Sequence, residues 1–224
     1  MKLKLWAKIV LVWAGLMLAS IIHAGELPQR AQLQFVDNNG LSVNMDFEQK
    51  SGQFQISTDL SLLIYQMQFV SSGTVSGTML NPLTYTDSRF GKLYAQARFN
   101  GQSVDYGRVS DTSRHLAVNG PVYDMFALAW QLGFNQGKLP VNTYLTNGKK
   151  VYPLDAVKNL GSAQIMVNGQ HIEISQYSIS RGDDRVEYAF APQLNNIPVR
   201  ISYMDNGKVY TLQLKAGQIN GKAI

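Results

Sequence analysis

Across most of the chain apolar and polar residues alternate with a period of two, the pattern of half-buried β-strands. Asn-Gly pairs punctuate that alternation seven times, at 39–40, 100–101, 119–120, 147–148, 168–169, 206–207 and 220–221. Both residue types tolerate positive φ, which a type I′ hairpin turn requires at its two central positions. With Asn206-Gly207 as such a turn, Asp205 faces Lys208, Tyr203 faces Tyr210, Ile201 faces Leu212 and Val199 faces Leu214. The apolar pairs then share one face, and Arg200, Ser202, Thr211 and Gln213 share the other. A slip of one residue would destroy this partition, so the agreement itself argues for the hairpin. Asn168-Gly169 gives the same result, pairing Ile165 with Ile172 and Ala163 with Ile174.

The first hairpin needs a three-residue turn, Asn38-Asn39-Gly40, with Gly40 in the left-handed position. Phe35 then meets Val43, Leu33 meets Met45 and Ala31 meets Phe47. Further strands are predicted at 53–58, 62–70, 92–99, 103–109, 141–146, 149–154 and 185–191. Connections are short and composition does not shift along the chain, which predicts one domain over 25–224.

One segment breaks the period. Val122–Phe134 reads VYDMFALAWQLGF, preceded by Gly120-Pro121 and followed by Gly137 and Pro140. Proline suits a first helical position, an acid such as Asp124 suits the first turn, and Gly then Pro stop a helix. Met125, Leu128, Ala129 and Leu132 form one helical stripe, and Phe126, Trp130 and Phe134 a second. A helix that is apolar on nearly all sides is buried on nearly all sides. The expected fold is therefore a mainly β domain whose single antiparallel sheet, strongly curved or barrel-like, encloses one apolar α-helix. A flat β-sandwich is the alternative.

Three stretches carry a resemblance. They are Ser71–Tyr85, SSGTVSGTMLNPLTY, the apolar helix, and Asn196–Ile201, NIPVRI, with its closing hairpin. In that order they resemble the bacterial envelope family catalogued as domain of unknown function 3108, over about residues 31 to 216. The Gly…Leu-x-Pro-x-x-Tyr element and the Ile-Pro-Val-Arg-Ile strand carry most of the likeness. The resemblance implies an exported, β-rich domain. The family has no established activity, so it supplies no catalytic residue.

The amino terminus sharpens that expectation. Lys2, Lys4 and Lys8 precede an uncharged run from Ile9 to Ile22, and Ala24 stands before Gly25. This is the layout of a secretory signal over 1–24, directing the chain to the periplasm. Its 14 apolar residues are short for a hydrocarbon core of ~30 Å, although an uncleaved anchor sliding over Leu5 to Ile22 is the alternative. Removing 1–24 takes the balance from 20 basic against 15 acidic residues to 17 against 15. No basic run survives to suggest nucleic acid. The absence of cysteine excludes disulfides, thiolate-bound metals and acylation at a lipoprotein cysteine.

Candidate chemistry is sparse. His23 leaves with the signal, His171 falls on a polar strand face opposite Met166, and His115 sits in a loop. Asp183-Asp184, within Arg181–Arg185, reads as a charged hairpin loop rather than a carboxylate pair for glycoside hydrolysis. No HExxH, GxSxG, GxGxxG or phosphate loop occurs. These readings predict a non-enzymatic envelope protein without cofactor or metal, soluble after signal cleavage. A hydrophobic or lipid ligand would sit in the curved sheet, lined by Met125, Phe126, Trp130 and Phe134. The alternative is a protein-interaction module for envelope assembly, its interior filled by the helix.

Overall fold

The computed structural model describes residues 27–62, 65–181, 184–205 and 207–224. The expected signal at 1–24, Gly182-Asp183 and Asn206 lie outside the described residues. Two antiparallel meanders make one large sheet. The first is β1 (Arg30–Asp37), β2 (Ser42–Lys50), β3 (Gln53–Leu62), β4 (Tyr65–Ser76), β5 (Met79–Arg89), β6 (Lys92–Phe99), β7 (Ser103–Arg108) and β8 (Arg114–Ala117). Next come β9 (Val122–Asp124), α1 (Met125–Phe134), β10 (Tyr144–Thr146) and β11 (Val151–Pro153). The second meander is β12 (Lys158–Val167), β13 (Gln170–Arg181), β14 (Asp184–Ala191), β15 (Ile197–Asp205) and β16 (Lys208–Ile219), and the short β17 (Lys222–Ala223) adds to β16.

The meanders join where β1 pairs with β16, with Leu33 opposite Gly217 and Phe35 opposite Leu214. Gly217 is required there, since a Cβ would lie 2.6 Å from Gln32 O. Spatial order runs from β12 through β16 to β1 and on to β8, and β8 and β12 end the ladder. The fold is thus mainly β, with a large antiparallel sheet and one described helix, and among the described residues no sheet is closed or strongly curled as a barrel would be. Beside it stands a three-stranded sheet in which β9 and β10 run parallel and β11 antiparallel.

Turn chemistry set the registers as expected. The first hairpin pairs Phe35 with Val43, Leu33 with Met45 and Ala31 with Phe47, with Gly40 at φ +82°. The Asp37 carboxylate fastens the loop by accepting the N–H groups of Asn39 at 2.8 Å and Leu41 at 2.6 Å. Ile165 pairs with Ile172, Ile201 with Leu212 and Tyr203 with Tyr210.

The helix begins three residues later than expected. Val122 to Asp124 are extended and pair with Tyr144 to Thr146. Asp124 is not in the first turn but is the N-cap, its Oδ1 accepting Phe126 N–H at 2.9 Å and Ala127 N–H at 3.1 Å. A capping carboxylate needs extended backbone at its own residue, which fixes the start after it. Gly137, at φ +82°, donates its N–H to Leu132 O at 2.8 Å and closes the far end.

The main core lies between α1 and the inward rows of the sheet, among them Leu33, Phe35, Met45, Phe47 and Ile56 from β1 to β3 and Tyr188, Phe190 and Val199 from β14 and β15. A smaller cluster of Tyr85, Ala97, Phe99, Val104 and Val122 packs the first meander against the small sheet.

Candidate functional site

Two of the four residues expected to line a ligand site, Trp130 and Phe134, meet in one aromatic cluster with Phe47. The Trp130 ring is centred 4.6 Å from Phe47 and 5.6 Å from Phe134, and Phe134 also meets Phe47 edge-on at 5.7 Å. Phe126 lies one turn back, 5.4 Å from Phe69. Met125 stands apart at the margin, half-buried, where its carbonyl accepts the Tyr188 hydroxyl at 3.1 Å. All other residues of α1 are buried.

Polar staples hold this helix, and sequence reasoning missed them. Gln131 is wholly buried, and its Oε1 accepts Leu80 N–H at 2.6 Å while its Nε2 donates to Thr78 O at 3.2 Å. One carboxamide thus completes the backbone pairing at the start of β5 as a neighbouring strand would. The Tyr123 hydroxyl donates to Leu80 O at 3.0 Å, and Thr78 Oγ1 to Asn135 Oδ1 at 3.0 Å. On the opposite side Gly133 touches the second meander so closely that a Cβ would lie 2.3 Å from Asn196 O. The signal available in the sequence was a lone glutamine inside an otherwise apolar helix.

Two polar atoms in this region, Thr58 Oγ1 and Trp130 Nε1, are buried without a hydrogen-bond partner, whereas the buried Ser71 hydroxyl bears on the Asp124 carboxyl. Burial pushes the Asp124 carboxyl above the usual carboxylate range. The nearby Ser71 hydroxyl and the capping N–H groups pull the other way and are outweighed. Burial likewise raises the phenols of Tyr85, Tyr123 and Tyr188, with the Asp124 charge adding to the effect at Tyr85 and Tyr188.

Elsewhere the chemistry is dispersed. His115 Nδ1 lies 2.7 Å from Asp105 Oδ1 on an exposed strand pair, and His171 is exposed opposite Met166. Arg89 grips the buried Asp87 with two hydrogen bonds and lies 3.7 Å over the Tyr94 ring. Among the described residues no three His, Asp or Glu side chains gather as a metal site would require. Nor is any described helix long and apolar enough to cross a membrane. No protein-family model matches the chain, and no curated protein matches it.

Proposed function

We propose that this is an exported, non-enzymatic interaction module of the bacterial cell envelope, with its interior filled by α1 and its function carried on its surface. Residues 1–24 act as the signal, residues 25–224 fold in the periplasm, and the likeness to the domain of unknown function 3108 supports that setting. The observation that carries the reading is Gln131. Drawing α1 away from the sheet would strip partners from the Leu80 N–H and the Thr78 carbonyl together, and buried polar groups left unpaired are costly. A helix held in this way is a core element rather than a lid.

A second reading keeps Met125, Phe126, Trp130 and Phe134 as the lining of a hydrophobic ligand site within a curved sheet. Two observations favour it. The unpartnered Thr58 Oγ1 and Trp130 Nε1 beside the helix lower the cost of opening that region. The β12–β13 turn also reaches back to β16, with Asn168 N–H donating to Lys215 O at 3.2 Å, as a curving sheet would. Mass spectrometry of organic extracts from the native protein separates the two, together with Trp130 emission during titration with fatty acids and phospholipids. The interaction module predicts no stoichiometric lipid and no saturable shift. Bound lipid, with a shift that weakens in Phe126→Ala, would replace it with the carrier.

A further inference from the structure

The outer face of the central strands carries a groove rich in carboxamides, and a second groove adjoins it at the strand ends. The first, of about 900 Å3, crosses β16, β1, β2, β3 and β4 and reaches the end of β5. The second, of about 1020 Å3, lies at the neighbouring strand ends and shares Gln32 and Gln218 with the first. Strand pairing aligns the first groove's polar side chains into rows across the sheet. Gln34 faces Asn44, Asn44 faces Asp59, Asp59 faces Gln68 and Gln68 faces Ser88. Beside that row run Gln218, Gln32 and Asp46. Asp59 orients its neighbour, accepting Gln68 Nε2 at 3.0 Å.

The composition of this lining selects its ligand. Lys, Arg, Asp and Glu are ordinarily found on exposed protein surface. Here the described lining of the first groove holds no lysine, arginine or aromatic ring, and its only ions are Asp46 and Asp59. Two carboxylates with no cation repel phosphates and anionic headgroups. An apolar ligand would strip water from the amides and return no hydrogen bond. A carboxamide both donates and accepts, as a hydroxyl does, so a row of amides matches a row of hydroxyls in either orientation. Carboxylates add acceptors for adjacent hydroxyl pairs.

We propose that this outer groove binds a neutral polyhydroxylated chain, a glycan, laid across the strands along Gln34, Asn44, Asp59 and Gln68. This goes beyond a protein-docking role and does not rest on it. The test is calorimetric and NMR titration of the purified protein with maltohexaose, cellohexaose and the tetramer of N-acetylglucosamine. At least one should bind saturably. Asn44→Leu and Gln68→Leu should each raise its dissociation constant about tenfold, or 1.4 kcal/mol, with the unfolding midpoint unchanged. If either leucine variant fails to fold, Asn44→Asp and Gln34→Glu replace it and should weaken binding in the same direction. His171→Ala, outside the groove, should leave affinity as it is. Failure of all three sugars to bind, binding that survives the groove substitutions, or binding of spermidine in their place would overturn the proposal.

Discussion

The two faces of β1 and β2 share one backbone and differ in almost everything else. Inward, Ala31, Leu33, Phe35, Val43, Met45 and Phe47 are buried against α1 and its surroundings. Outward, Gln32, Gln34, Asn44 and Asp46 stand at intervening positions, half-buried or exposed. The inward face is fixed by packing, because each side chain there has lost its water and depends on close contact. The outward face has no such constraint, so its composition is free to answer to something else. Its cations, Arg30 and Lys50, stand at one end of the two strands, and the cation-free stretch lined by Gln32, Gln34, Asn44 and Asp46 marks the groove rather than the core as the region with chemical character.

That contrast gives the largest expected effect. Trp130→Ala removes the ring that Phe47 and Phe134 pack against and should cost about 3–5 kcal/mol in urea unfolding. Asn44→Ala, on the outward face, should stay within about 0.5 kcal/mol. A small loss at Trp130 would mean that the inward face is loosely packed, which the carrier reading requires.

Next in size is Gln131→Leu. The substitution keeps much of the bulk but leaves Leu80 N–H and Thr78 O without their partner. Stranding a buried backbone donor costs about 1–3 kcal/mol, again read from urea unfolding. A neutral or stabilising result would show that these groups find water, and that α1 is less firmly seated than the geometry requires.

The residues just named also show what the sequence could and could not reveal. Hairpin registers were legible because Asn-Gly turn geometry and the period of two are local, and one residue of slip exchanges the faces. The burial of α1 was legible from its two apolar stripes. Its first three residues were misread because Val122 and Tyr123 continue that apolar run, while their pairing with Tyr144 and Leu145 is a tertiary fact. Strand β5 was hidden by Pro82, a residue that usually argues against a strand. Pro82 is accommodated because the register shifts opposite Gly73, where a Cβ would lie 2.1 Å from Asn81 O. The union of β1 with β16, which sets the whole order of the sheet, links opposite ends of the chain. The first groove's rows follow from that union and from the strand registers, so the glutamines could be read one by one but not as a row.

Asp124 tests the inner region by pH. Burial raises its pKa in the folded state, so folding opposes its ionisation. Its contribution is therefore fully present below the unfolded-state value and is lost as pH rises through the folded-state value. Asp124→Asn retains an oxygen for Phe126 and Ala127 N–H and carries no charge to bury. The variant should gain stability relative to the parent as pH is raised from acid to neutral, followed as unfolding midpoints across that range. A constant difference at all pH values would show that the carboxyl is solvated.

The smallest effect comes where the inward face runs out into solvent. Tyr203 pairs with Tyr210 across β15 and β16, beside Ile201 and Leu212. Ile201 is buried, Tyr203 is half-buried and Tyr210 is 53% exposed, so burial fades along two strands within a few residues. Cross-strand aromatic pairs contribute roughly 0.2–1 kcal/mol beyond alanine, and an exposed partner places this pair toward the lower end. A double-mutant cycle of Tyr203→Ala and Tyr210→Ala should recover that coupling, because each single change removes the same ring contact. Val186 also opposes Tyr203, from β14, so Tyr203→Ala alone should cost more than Tyr210→Ala alone. Strict additivity with equal single losses would mean that the pair contributes only as separate side chains, and that at this margin the inward and outward faces are no longer distinct.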